Sequence, residues 1–170
     1  IPTETVYGLA ANALNATAVA KIFEAKNRPF FDPLIVHVAS VEAAEKYVQA
    51  IPAPLLYLMQ TFSPGPLTVL LKKKDVIPDI VTSGLDTVGI RIPNHPLTLA
   101  LLAELDFPLC APSANPFGYV SPTSAQHVFN QLADRIPFIL DGGKCSVGVE
   151  STIVGMENGE VVVYRLGGIA

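Results

Sequence analysis

Apolar and polar positions come in blocks along this chain, and the period within each block sets the element expected there. Val6 to Leu14 is small and apolar, a strand or a strand leading into a turn. Asn15 or Thr17 is placed to cap the helix that follows, where Val19, Ile22 and Phe23 share one face at helical spacing. Lys26 and Arg28 fall at its C-terminal end, and Pro29 is expected to stop it. Leu34 to Val38 has the pattern of a short buried strand interrupted by His37. Ser40 is placed to cap a helix through about Val48, and Pro54 to Thr61 reads as another. Pro66 to Leu71 predicts a strand that ends in Lys72-Lys73-Lys74, a solvated triplet that discourages edge pairing. Val88 to Ile92 predicts a second clear strand with Arg91 inside it, and Asn94 or His95 before Pro96 starts a helix to about Leu105.

The second half continues the alternation. Leu109 to Ala111 reads as a strand running into Ser113-Ala114-Asn115. Thr123-Ser124-Ala125-Gln126 fits a capping box for a helix to about Ala133. Phe138 to Leu140 predicts a short strand emptying into Asp141-Gly142-Gly143. Gly148 to Val154 sets hydroxyls beside a strand, and Val161 to Arg165 is the last one. Strands and helices alternate throughout, so the expectation for residues 1–170 is a single α/β domain, a twisted, mixed sheet with flanking helices.

Composition narrows the function classes. Half of the 170 residues are hydrophobic and 15% are charged, which suits one compact domain and excludes disorder. The apolar runs fall well below the roughly 18–20 residues of a membrane helix, so a soluble protein without a membrane partner is expected. A net charge of −4 argues against non-specific nucleic-acid binding as the main activity, yet leaves room for an anionic small molecule held by a few cations. Cys110 and Cys145 fit no CxxC or metal spacing and read as reduced thiols, which suits a cytoplasmic location. The opening Ile1-Pro2 and the closing Leu166 to Ala170 are both expected to be cuts in a longer chain.

The standard nucleotide, hydrolase and metalloprotease templates are absent, and three scattered histidines nominate no zinc site. What recurs is polar groups at the ends of apolar elements: Thr3 and Thr5, Lys26 and Arg28, His37, Thr87 and Arg91, Ser113 and Asn115, Ser151 and Thr152, and Arg165. Lys26 alone is equally a helix-terminating cation, His37 a hydrogen-bonded core histidine, and Arg91 half of an internal salt bridge. Together, isolated cations and hydroxyls suit a phosphate chain bound without a Walker loop.

Four blocks carry a resemblance. Pro2-Thr3-Glu4-Thr5-Val6-Tyr7-Gly8-Leu9, Lys26-Asn27-Arg28-Pro29, Ala111-Pro112-Ser113-Ala114-Asn115 and Glu150-Ser151-Thr152-Ile153-Val154 are similar, in the same order, to the signature blocks of the YrdC family. These are the threonylcarbamoyl-AMP synthases of tRNA modification. The Pro33 to Val38 segment resembles the longer branch, in which a linker and a C-terminal domain follow. The resemblance implies a nucleotidyltransferase that uses ATP, L-threonine and bicarbonate or CO2. Threonine's amine becomes a carbamate, whose oxygen attacks the α-phosphate to give threonylcarbamoyl-AMP and pyrophosphate, for threonylcarbamoyladenosine in tRNA. Carried over position by position, Thr5, His37, Arg91, Ala111 and Ser151 would hold threonine. Arg28, Asp32, Thr87, Ser113, Asn115, Ser121 and Arg165 would contact ATP, with Lys26 and Arg28 as the catalytic cations at the phosphates. Mg2+ would arrive with ATP, without a protein ligand set. Asp32 departs from the asparagine often found there, and its carboxylate would repel a polyphosphate unless magnesium intervened.

On this reading Arg28→Ala and Arg91→Ala each abolish activity in a folded protein, and the linker of the longer branch closes a dry pocket over the labile carbamate. tRNA or a downstream threonylcarbamoyl-transferase is the further partner implied. Two rival readings are an RNA-binding module without turnover and a carbamoyl-adenylate-forming domain of the hydrogenase-maturation type. Acidity and the lack of interleaved basic and aromatic residues count against the first, and the absence of large flanking segments counts against the second.

Overall fold

A computed structural model of the chain describes residues 1–169, so the expectation at Ala170 lies outside the described residues. The elements in order are β1 (Ala11–Asn12), α1 (Ala16–Lys26), β2 (Ile35–His37), α2 (Val41–Ala44), α3 (Ala53–Phe62), β3 (Leu67–Lys72) and α4 (Asp79–Thr82). They continue with β4 (Thr87–Arg91), α5 (Pro96–Glu104), β5 (Leu109–Cys110), α6 (Ala125–Leu132), β6 (Thr152–Glu157) and β7 (Glu160–Arg165). The strands form one sheet in the order β1-β5-β2-β4-β3-β6-β7. β2 with β4 and β3 with β6 are parallel, and the other neighbours are antiparallel. This is the mixed α/β sheet that the alternating pattern predicts.

The pleat divides each central strand between two environments. Val36, Leu67, Val69, Leu71, Val88, Ile90 and Val154 point to one face, where they join Val19, Ile22, Phe23, Leu55 and Met59 in the main core. α3 packs on β3 and α4 on β4. The intervening residues, among them Thr68, Leu70, Gly89 and Arg91, point to the opposite face and line a cleft there. A smaller cluster of Tyr7, Ala114, Val128 and Leu132 lies apart from the main core.

Several boundaries differ from the pattern. Asn15 caps α1, its Oδ1 accepting from the Ala18 N–H at 3.1 Å, but the helix stops before Pro29. Asn27 turns left-handed at φ 53°, and its N–H closes the last turn on the Phe23 and Glu24 carbonyls. Of the apolar run Val6 to Leu14 only Ala11–Asn12 is strand, because the preceding residues spend their backbone groups on turns and on the 112–122 loop. Ser40 caps α2 as expected, yet that helix lasts one turn and gives way to hydrogen-bonded turns before Val48 bridges to Lys73. The α6 cap is Ser124 rather than Thr123, since Ser124 Oγ accepts from the His127 N–H while Thr123 bonds the His127 ring. Phe138 to Leu140 is loop, with Phe138 exposed and Ile139 leaning on the small cluster. Short α4 escaped the pattern altogether, four residues being too few to show a period.

Candidate active site

The pairing register carries one row of residues across five strands. His37 lies opposite Arg91, Arg91 opposite Thr68, Thr68 opposite Ile153, and Ile153 opposite Arg165. A cleft of about 570 Å³ opens over this row. Its floor includes Gly89, where a Cβ would come within 3.0 Å of the Thr68 methyl carbon. A side chain there would crowd Thr68 and fill the cleft, so glycine sets its depth.

At one end of the row Arg91 is buried and fully engaged on one side. Its Nη2 pairs with Glu4 Oε1, Nη1 donates to Thr5 Oγ1 at 2.8 Å, and Nε donates to the Gly65 carbonyl at 3.3 Å. Glu4 Oε2 accepts from the Asn94 N–H at 2.7 Å, so the carboxylate's charge is shared between a guanidinium and a backbone amide. A guanidinium has five N–H donors, and the remaining ones are what Arg91 offers the cleft that it lines. Neighbouring His37 is buried, with Nδ1 lacking a hydrogen-bond partner among the described residues. Burial and the Arg91 charge push its pKa down to about 3, so the ring is neutral near pH 7. A buried ring nitrogen without a partner is uncommon, and this one belongs to a residue that lines the cleft. Ser151 completes this end: its Oγ is 2.8 Å from Thr68 Oγ1 and accepts from Arg165 Nη2 at 3.2 Å.

At the other end the cations gather. Lys26 leaves the last turn of α1 and is buried, its ammonium donating to the Ser113 carbonyl and, at 2.5 Å, to the Asn115 carbonyl. Burial, then the Arg28 charge, lower its pKa to about 8. The helix therefore ends in a cation that braces the Ser-Ala-Asn loop rather than one spread into solvent. Arg28 points the other way, because the left-handed Asn27 between them reverses the chain. Its Nη2 donates to the Pro33 carbonyl at 2.9 Å and pairs with Asp32 Oδ2 at 3.0 Å. Asp32 thus meets an arginine, which answers the repulsion expected of a carboxylate here, and the pair is open to water on the Asp32 side only. Arg165 is tied to the Ser151 carbonyl at 3.0 and 2.9 Å and to Glu150 at 3.2 Å. Ser113, Asn115 and Ser121 line the same cleft, and Asn115 Oδ1 is a second buried polar atom without a partner among the described residues.

Every residue that the resemblance assigns to threonine or ATP lines this cleft except Thr87, whereas Thr3 and Thr152, singled out only as polar ends of apolar runs, are buried outside the lining. Thr87 shares the Arg91 face of β4 but pairs with Lys72, four residues and roughly 13 Å down the strand, outside the lining. Three residues escaped the sequence reading. A strand arginine demanded an anion, but Glu4 was quoted only as part of a block. Thr68 becomes visible only once the β3–β4 register is known. Glu150 stood next to Ser151 without an assignment. Among the described residues no group of three or more His, Cys, Asp or Glu converges as a metal site.

Comparison with known proteins adds an independent line. The family model Sua5/YciO/YrdC, described as telomere recombination, matches residues 1–167. The threonylcarbamoyl-AMP synthase of Bacillus subtilis is 50% identical over 169 residues, covering 99% of this chain and 49% of that protein. That of Pyrococcus abyssi is 48% identical over 168 residues, covering 99% of this chain and 49% of that one. The crystal structure of P. abyssi Sua5 complexed with L-threonine superposes with a TM-score of 0.94 at 48% identity, covering 98% of this chain and 49% of that structure. The chain spans about half the length of the curated relatives it matches. Because the family match runs through all the elements that build the cleft, and the blocks read from the sequence lie within it, the chain belongs to the Sua5/YciO/YrdC family.

Proposed function

We propose that this domain forms L-threonylcarbamoyl-AMP from L-threonine, bicarbonate or CO2, and ATP, releasing pyrophosphate for threonylcarbamoyladenosine synthesis in tRNA. The observation that carries the reading is the continuity of one cleft between the Arg91, His37 and Ser151 end and the Lys26 and Arg28 end. Arg91 takes the threonine carboxylate with its remaining N–H groups, a bidentate pairing that suits a buried guanidinium. Thr5, His37, Ser151 and the Ala111 backbone surround the rest of the amino acid. The amine nitrogen adds to the carbon of CO2 and loses a proton, leaving a carbamate. A carbamate oxygen then attacks the α-phosphorus of ATP as the bond to the pyrophosphate oxygen breaks.

That displacement needs alignment and charge neutralisation rather than a covalent nucleophile. Arg28 faces the phosphates, Lys26 adds charge and holds the 113–115 loop, and Ser113, Asn115, Ser121 and Arg165 contact the nucleotide. For ATP to reach Arg28 fully, the Asp32 pairing has to loosen, and Asp32, the more exposed member of the pair, turns to water as it does so. Mg2+ enters as the counter-ion of the substrate ATP, bound mainly through the phosphates. The nucleotidyltransferase class, a cytoplasmic setting, and a tRNA or transferase acceptor for the product belong to the same proposal. The threonylcarbamoyl-AMP synthase activity for which the relatives are named and the threonine-bound P. abyssi structure support the substrate choice. Pyrophosphate release tests it: omission of either L-threonine or bicarbonate is expected to reduce release to background. Release that persists without threonine would reject the assignment.

A further inference from the structure

Thr3 belongs to the first block but is buried and does not line the cleft. Its Oγ1 lies 2.6 Å from the Val6 carbonyl oxygen. A carbonyl only accepts, so the single Thr3 hydroxyl hydrogen is committed there. The same Oγ1 lies 2.9 Å from Thr5 Oγ1. With Thr3's hydrogen already used, Thr5 has to be the donor of that pair. The longer contacts from the Thr5 and Val6 N–H groups, each 3.2 Å, share the other lone pair of Thr3. Thr5 Oγ1 also accepts from Arg91 Nη1 at 2.8 Å. Its hydrogen therefore points inward and one of its two lone pairs is filled. Toward the cleft Thr5 has one acceptor position left.

We infer that Thr3 is a positioning residue that fixes the hydrogen-bond polarity of Thr5, so that Thr5 accepts from a substrate N–H or O–H and does not donate to it. The inference rests on the threonine-binding reading proposed above. Arg91, immediately beside Thr5, offers only donors. One wall of the cleft then carries a donor for a carboxylate and, 2.8 Å away, an acceptor for an amine or hydroxyl. A site built to accept a substrate hydrogen discriminates against ligands lacking it far better than an apolar pocket discriminates by size.

A double-mutant cycle read by calorimetry with L-threonine tests this. Thr3→Val keeps the branched shape, removes the hydroxyl, and frees the Thr5 hydrogen to turn into the cleft. L-Threonine binding is expected to weaken about tenfold, the scale of one hydrogen bond in a buried site. Thr3→Ser is expected to restore it, and Thr3→Val is expected to add nothing in a Thr5→Val background. An unchanged affinity in Thr3→Val, or an equal loss in both backgrounds, overturns the inference. Neutron diffraction on the unaltered chain gives the same answer even where Thr3→Val does not fold. A deuteron on Thr5 Oγ1 directed at Thr3 supports the inference, and one directed into the cleft overturns it. Failure of the unaltered chain to bind L-threonine would instead reject the substrate reading, while the deuteron position still decides the role of Thr3.

Discussion

His37 shows most sharply how burial redefines a residue. Held at a pKa of about 3 against an ordinary 6.5, the ring stays neutral in the fold while the unfolded chain takes up a proton. Between those two values the unfolded state binds more protons, so stability falls as the pH is lowered through that window, by up to ~1.4 kcal/mol per pH unit for this group. Urea midpoints measured from about pH 7 down to 4 are expected to fall less steeply in His37→Gln. Parallel slopes would remove His37 from the acid response. Arg91 makes a different point. A buried arginine in an apolar strand is legible in the sequence as a charge needing an anion, but Glu4 stands 87 positions away. No local pattern connects them. The partner also changes what a deletion means, because Arg91→Ala leaves the Glu4 carboxylate buried with only the Asn94 N–H. That change is expected to cost about 3–5 kcal/mol, so lost activity in Arg91→Ala reports folding as well as binding. Arg28→Ala, at the cleft edge with a half-exposed partner, is expected to lose activity with a melting temperature close to that of the unaltered chain. Equal melting temperatures for the two variants would contradict the buried-pair account.

At the scale of elements, periodicity finds what is long and one-sided. The α1 face of Val19, Ile22 and Phe23, the strands β3 and β4, and the Asn15 and Ser40 caps are all readable locally, while the α6 cap falls one residue past the Thr123 of the pattern. Short pieces are not: β1 has two residues and α4 four, and the apolar triplet Phe138 to Leu140 has the pattern of a buried strand without a neighbour to pair with. The end of α1 matters most for the cleft. Its left-handed Asn27 sends Lys26 inward to the Ser113 loop and Arg28 outward to the Pro33 edge. A β-branched residue tolerates that conformation poorly. Asn27→Val is therefore expected to lose about 1–2 kcal/mol of stability and to weaken ATP binding, whereas Asn27→Gly, which adopts positive φ freely, keeps both. Urea unfolding and nucleotide titration of the two variants check this. Matching behaviour would show that the turn does not position the cations.

On the scale of the whole domain, the site is a product of sheet order. β2, β4, β3 and β6 lie side by side although they are dispersed through the chain, so His37, Arg91, Thr68 and Ile153 form one row. The candidate polar residues are legible as a set because each sits at the end of an apolar run. Their arrangement is not, because it depends on register, and register is why Thr87 falls outside the cleft and Thr68 within it. The sheet buries one face under helices and leaves the other to the cleft, with the 112–121 loop and the Glu150-Ser151 turn forming its sides. The Bacillus subtilis and Pyrococcus abyssi relatives are about twice as long as this chain. The central claim is that one cleft joins an amino acid, a one-carbon unit and a nucleotide. Mass spectrometry of the products from ATP, L-threonine and carbon-13 bicarbonate tests it most directly. The account predicts a threonylcarbamoyl-AMP species one mass unit heavier than that made from ordinary bicarbonate, together with pyrophosphate. An adenylated product without the label, or no adenylate from a chain that binds both ATP and L-threonine, would contradict it.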